Sequence, residues 1–268
     1  MAIKFVDRVP TYPGRIKFTK EDGTVIYGTW ERADSPTVEG TPLNAENLNA
    51  MQEGGGLSEP VTYYVDSVGS DTTGDGTEAK PYATVTKALS LLPKNLNGFN
   101  ATIFVASGTY NEAIQISNFV GGTIILRGYG ADATFYYIEI MDSNVEVRGL
   151  TLTVDRTGTK SAALYMLGGR LRCFNDFNTT NPSTGIKLEE GARLLMGGAT
   201  VRFSGASYGV SAEHGSHGVF GTLAGSATTL LSAGTGSIIA YDTVTATVTV
   251  ATSETNGGGR IFAGSQTT

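Results

Sequence analysis

Through the middle of the chain, apolar residues come as doublets separated by a single residue: Ile103 and Val105, Ile124 and Leu126, Val145 and Val147, Leu171 and Cys173. Alternation at period two marks a strand with one buried face, and each doublet lies about 21 to 26 residues beyond the last. Glycines punctuate the intervals at Gly121-Gly122, Gly168-Gly169, Gly191, Gly197-Gly198 and Gly257-Gly258-Gly259, where the chain is expected to turn. Beyond Cys173 the pattern is fainter, and Leu194, Val219, Ile238 and Ile261 give the best register. One coil of such strands cannot hide both of its edges, but each strand can stack on its equivalent in the next coil. The pattern predicts an all-β fold, a right-handed parallel β-helix, with Ile103, Ile124 and Val145 in one column of a shared dry interior. An antiparallel sandwich or jelly roll also has short strands and glycine-rich turns, but it predicts no repeat length.

Ahead of the repeats the pattern changes. Val61 to Asp66 reads as a strand, followed by a polar loop through Gly69-Ser70-Asp71 and Gly74-Asp75-Gly76. Val85, Ala88, Leu89 and Leu92 then fall at i, i+3, i+4 and i+7, closed by Pro93: a helix with one apolar stripe. A solenoid exposes its core at its ends, and this helix is placed to cap one of them. The first fifty-odd residues differ again. Tyr12-Pro13-Gly14-Arg15 suits a type II turn, and Glu21-Asp22-Gly23 sits between the alternating runs Ile16, Phe18 and Val25, Tyr27, as in a hairpin. A short helix is expected from Asn44 as N-cap, with Leu43 and Leu48 as a hydrophobic staple, ending at the linker Gly54-Gly55-Gly56. So few large apolar residues cannot hold a core alone, and the segment is expected to dock on something. The resulting division is 1–57, an attachment segment; 58–101, opening strand, loop and capping helix; 102–216, coils; 217–268, last coils or a C-terminal trimer tip.

Charge narrows the function. Only 16% of the 268 residues are charged and the net charge is −6, which argues against nucleic acid or an anionic membrane as a general partner. Cys173 is the single cysteine, so neither an internal disulfide nor a cysteine-based zinc site can form. Met1-Ala2-Ile3-Lys4-Phe5 lacks the apolar run of a secretory signal, so synthesis is expected in the cytoplasm, and no later stretch approaches a membrane span. The glycine pairs match no phosphate-binding loop, and no cofactor is implied.

Two stretches resemble known families. Tyr63-Tyr64-Val65-Asp66 with Gly69-Ser70-Asp71, Gly74-Asp75-Gly76-Thr77, Pro81-Tyr82-Ala83-Thr84 and Lys87-Ala88-Leu89 resembles the opening of pectate-lyase-like (pectin-lyase-like) β-helices, found in polysaccharide lyases and in phage tailspikes and tail fibres. That resemblance implies fold more than activity. Lys4-Phe5-Val6-Asp7-Arg8-Val9-Pro10 with Pro13-Gly14-Arg15, Glu31-Arg32-Ala33-Asp34 and Gly40 through Met51 is similar to N-terminal attachment segments of tail-fibre proteins in phages and prophages of Gram-positive bacteria. It implies a homotrimer in a virion tail, joined through this segment to other tail or baseplate proteins. Pro13, Gly14, Trp30, Leu43, Asn44 and Leu48 are the candidate attachment residues.

Candidate chemistry is sparse. Glycan cleavage needs two carboxylates flanking the scissile bond, or carboxylates holding Ca²⁺ with a base to abstract a proton. Asp132 or Asp155 could approach Asp176 on one face, although outward charges are ordinarily solvated. Arg127, Arg148 and Arg172 recur near the coil spacing as a candidate ladder, with Arg202 a fourth rung; Glu146 and Glu139 are possible ion-pair partners, and an anionic glycan is the alternative one. His214 and His217, with Glu213, are the candidate metal ligands, against the reading of a solvated turn. If the segment is extended, Tyr136 and Tyr137 point to opposite faces, and the outer ring suits a subunit interface or sugar stacking. The function expected is a structural, receptor-binding tail component that contacts bacterial surface glycan or protein; the alternative is a polysaccharide depolymerase, lyase or hydrolase.

Overall fold

The structure is a computed structural model that describes residues 15–19, 23–29, 56–155, 162–180, 182–245 and 253–263. The chain divides into two compact units, Met1–Gly55 and Gly56–Thr268. In the first, β1 (Arg15–Thr19) and β2 (Val25–Thr29) pair antiparallel, Arg15 opposite Thr29 and Thr19 opposite Val25. Gly23, just ahead of β2, is left-handed at φ +82°, a conformation glycine adopts without steric cost. Pro13, Gly14, Trp30, Leu43, Asn44 and Leu48, and the helix expected from Asn44, lie outside the described residues.

The second unit opens with β3 (Val61–Val65) and the helix α1 (Val85–Ser90). Its first coil is β4 (Asn100–Val105), β5 (Gly108–Thr109) and β6 (Ile114–Ser117). Next come β7 (Thr123–Phe135) with β8 (Ile138–Met141), then β9 (Asn144–Asp155) with β10 (Ala162–Leu167). β11 (Arg170–Cys173), β12 (Phe177–Thr180) and β13 (Thr184–Glu189) form the fourth coil. β14 (Arg193–Ala212) and β15 (His217–Gly234) bend around a whole coil each, followed by β16 (Ile238–Val244), β17 (Ser253–Asn256) and β18 (Arg260–Ala263).

The named strands of this unit pair in parallel, in three sheets that wind as a right-handed parallel β-helix. The first sheet stacks β3, β4, the starts of β7 and β9, β11, the starts of β14 and β15, then β16 and β18. The parallel ladder excludes the sandwich, whose strands would alternate in direction. The strands β15 to β18 continue the same coils.

Registers are strict because a one-residue slip would turn every inward side chain to water. Two inward columns of the first sheet run Ala101, Ile124, Val145, Leu171, Leu194 and Ile103, Leu126, Val147, Cys173, all at most 2% exposed. Ile103 therefore stacks on Leu126, and Ala101 stands where it was expected above Ile124. The error came from reading only large apolar residues as inward positions. Val219 and Ile238 are likewise one position off the inward register: Gly218 and Ile239 continue the Leu194 column, and Val219 faces out at 42% exposure. Gly218 hid this, because it is a glycine in a core column. A Cβ there would come within 2.7 Å of the Phe220 ring, so the glycine makes room for the larger side chain two residues on.

The capping helix forms as expected. Val85, Ala88 and Leu89 are buried, and the helix packs against β3, β4 and β6. Thr84 is its N-cap, accepting from the Lys87 amide at 3.0 Å. The Glu112 carboxylate accepts from the amides of Val85 at 2.7 Å and Thr86 at 2.9 Å, while Asp71 accepts from the Ala83 and Thr84 amides at 2.8 and 3.1 Å. These carboxylates fasten the helix N-terminus to the loop before it and the coil after it.

One corner repeats in left-handed conformation coil after coil. Asn118, Asp142, Glu190, His214 and Thr235 have φ between 43° and 59°, and Gly168 takes the same place at φ +67°. The stack is held by amides: Asn118 N–H donates to the Met141 carbonyl, Asp142 to Leu167, Gly168 to Glu189. A positive φ lets the chain turn sharply between the third sheet and the first without breaking either ladder.

Candidate functional site

Inward positions are mostly apolar and closed to solvent, so chemistry is sought on the outward columns and corners. On the first sheet, one outward column runs Asn144, Arg170, Arg193, His217, Ile238, Arg260. Its neighbour runs Glu146, Arg172, Leu195, Val219, Ala240, Phe262. Arg170, Arg172, Arg193 and His217 are exposed, as are Leu195, Val219 and Phe262. Between the two columns lies a shallow groove of about 380 Å³, walled by Arg170, Arg172, Arg193, Leu195, His217 and Val219.

The expected arginine ladder is only partly assembled. Arg127 and Arg148 are register neighbours, but Arg172 is opposite Glu146 in the adjacent column, and Arg202 belongs to the second sheet, between Asn178 and Ala224. The spacing of 24 residues from Arg148 to Arg172 matched a coil length, but the coil between them is 26 residues from Val145 to Leu171, which shifts the column. Arg148 is paired with Glu146 at 2.8 Å and Arg202 with Asp176 at 2.6 Å; Arg127 lies over the Phe104 ring and Arg172 over Phe174. Arg170 and Arg193 escaped the sequence reading. Their signal was available, since each immediately precedes the first inward residue of its coil, as His217 does.

Tyr136 and Tyr137 fall at the corner between β7 and β8, so the extended alternation expected of them does not apply. Both are half-buried, and Tyr137 packs on the core while its hydroxyl accepts from Gln115 Nε2 at 3.3 Å. His214 and His217 do not converge. His214 sits at the left-handed corner with Nδ1 3.6 Å from Glu190, His217 stands in the arginine column, and the Glu213 carboxylate lies against Gly234. Among the described residues, no group of three or more His, Cys, Asp or Glu side chains is placed to hold a metal.

Asp132 and Asp155 are not set opposite a second carboxylate in the sheet register. Asp132 is in register with Thr151, and Asp155 with Thr180. Asp176 is held below the usual carboxylate range by hydrogen bonds from Arg202 and Thr200. The richest polar cluster is on the third sheet, where Gln115, Glu139, Tyr165 and Lys187 stack in register. Tyr165 donates to Glu189 at 2.6 Å and Lys187 meets the other oxygen of Glu189 at 2.8 Å. Burial opposes ionisation of Glu189, but those two donors outweigh it and hold its carboxyl below the usual range. Burial, reinforced by Glu189, pushes the Tyr165 phenol up to about 12, so it stays protonated and cannot act as a base near neutral pH.

A family described as a protein of unknown function, DUF1565, matches residues 67–119, the stretch from the loop after β3 through α1 to the first coil. A transmembrane domain-containing protein of Dictyostelium discoideum is 35% identical over 71 residues, which is 26% of this chain and 4% of that protein's length. No helix among the described residues is long and apolar enough to cross a membrane. No solved structure matches.

Proposed function

We propose that this chain is a structural, receptor-binding component of a phage or phage-derived tail. In this reading the β-helix meets the bacterial surface, and residues to about Leu57 join it to other tail or baseplate proteins. The observation that supports it is the outward face of the first sheet, where exposed Leu195 and Val219 line a groove with arginines that have no carboxylate partner among the described residues. An in-register ladder holds those side chains on a rigid scaffold, so recognition costs little ordering entropy. Binding is favoured over cleavage because the acidic side chains around Asp176 and Glu189 are tied into internal hydrogen bonds. The homotrimer and the place in the virion belong to the same proposal and rest on the N-terminal resemblance.

Sedimentation of the purified full chain, with adsorption of labelled protein to a panel of Gram-positive strains, tests it. A trimer that adsorbs saturably to a subset of strains is the expected result. A monomer that adsorbs to none overturns it. Release of reducing ends or unsaturated sugar in molar excess over protein would make the chain a depolymerase instead.

A further inference from the structure

Three cations elsewhere stand beside carboxylates: Arg148 by Glu146, Lys187 by Glu189, Arg202 by Asp176. The first-sheet groove gathers several cations without such partners on neighbouring rungs. Among the described residues no carboxylate lies within ion-pair distance of Arg170, Arg172 or Arg193, and Glu146, the acid nearest in register, is held by Arg148. Arg170, Arg193 and His217 occupy consecutive rungs, about 4.8 Å apart. Like side chains of one charge set directly opposite each other destabilise a sheet. A protein with net charge −6 that leaves such a column uncompensated presents a site for an anion from outside.

We propose that the groove binds a phosphate-bearing glycan laid along the solenoid axis; this rests on the reading of the chain as a surface-recognition protein. The donor set selects the anion. A planar carboxylate is satisfied by the fork of one arginine, whereas a tetrahedral phosphate offers oxygens in several directions and can be bracketed by guanidinium groups from adjacent rungs. Arg170 and Arg193 form the bracket, and Arg172 and His217 extend it to either side. Leu195 and Val219 supply an aliphatic shelf for the C–H face of a sugar ring. Single-stranded nucleic acid, the other phosphate polymer, is gripped through aromatic stacking platforms, and this groove's apolar wall is aliphatic.

The test compares dextran phosphate, carboxymethyl dextran, unmodified dextran and an oligodeoxythymidylate of similar length, each titrated against the full chain. Dextran phosphate is expected to bind at least about tenfold more tightly than the other three, the difference that one charged hydrogen bond supplies. The double variant Arg170→Gln, Arg193→Gln should lose about tenfold or more of that affinity and flatten its salt dependence, with an unchanged circular dichroism spectrum and an undiminished Tm. Arg202→Gln serves as control and should bind as wild type. Equal binding of carboxymethyl dextran, tighter binding of the oligonucleotide, or undiminished binding by the double variant overturns the proposal. Cell adsorption separates the two readings. Adsorption that survives the double variant overturns the phosphate groove alone, and absence of adsorption by wild type overturns the receptor-binding reading.

Discussion

The carboxylate of Glu112, in the first coil, accepts the backbone amide of Val85, the first residue of the helix, at 2.7 Å, and takes the Thr86 amide with its other oxygen. Glu112 is 9% exposed, so these donors stand in for water that burial has removed. Beside the Thr84 cap, the first turn thus depends on a residue 27 positions away, and the solenoid's end is closed by tertiary contact rather than by helix propensity, which six residues could not supply.

Glu112→Ala should therefore leave the amides of Val85 and Thr86 without partners while the Thr84 cap remains, a loss of about 2–3 kcal/mol. Urea denaturation should show a lower midpoint. Because the helix covers one end of the core, hydrogen exchange at Ala88 and Leu89 should accelerate in the variant more than at Leu164 and Ile186 in the middle of the stack.

The left-handed corner gives a second prediction. Thr235 is β-branched and held at φ +43°, where its branched side chain crowds the backbone. Thr235→Gly should stabilise the fold by about 0.5–1 kcal/mol, the relief of strain less the entropy that glycine loses on folding. Gly225 is the converse case. Its φ is +93° and a Cβ would meet the Phe203 carbonyl oxygen, a backbone atom, so Gly225→Ala should destabilise by about 1 kcal/mol or more. Thermal melts of the two variants should move in opposite directions.

These positions mark where sequence reasoning works and where it stops. The coil repeat was legible because Ile124, Val145 and Leu171 are large, recur at about one coil length and share one column. The helix was legible from its stripe. Register failed at Ala101 and Gly218, since a small residue in a core column carries no apolar signal and its place is set by neighbours such as Phe220. The corner escaped because Asn118, Asp142, Glu190, His214 and Thr235 share a conformation imposed by stacking, not a residue type. The groove escaped for the same reason: Arg170, Arg193 and His217 become one surface only when the coils are superposed.

Cys173 tests the dryness of the interior. Its side chain is 1% exposed in the column of Val147, and burial pushes the thiol up to about 11. Only the thiolate is nucleophilic, so the folded protein should react with a disulfide reagent at pH 8 orders of magnitude more slowly than an ordinary exposed thiol. Adding denaturant should release one equivalent at the rate of a free cysteine. Rapid labelling of the native chain would mean that the coils do not enclose this position.

Tyr165 yields a prediction whose sign follows from linkage. In the folded chain its phenol keeps its proton up to about 12, against an ordinary value of 10.0, because burial and the neighbouring Glu189 disfavour a second negative charge. Between those values the unfolded chain binds fewer protons than the folded one, so stability falls as pH rises. The contribution is whole below about pH 10 and is lost as pH climbs through about 12. Tyr165→Phe removes the titrating group together with the hydrogen bond to Glu189. The variant should be less stable than wild type at neutral pH, with a gap that narrows above pH 10, and paired urea titrations across that range read it directly. Lysine titration in the same range affects both proteins alike and cancels in the difference, so a gap that stays constant with pH would show that Tyr165 does not ionise differently in the folded and unfolded chains.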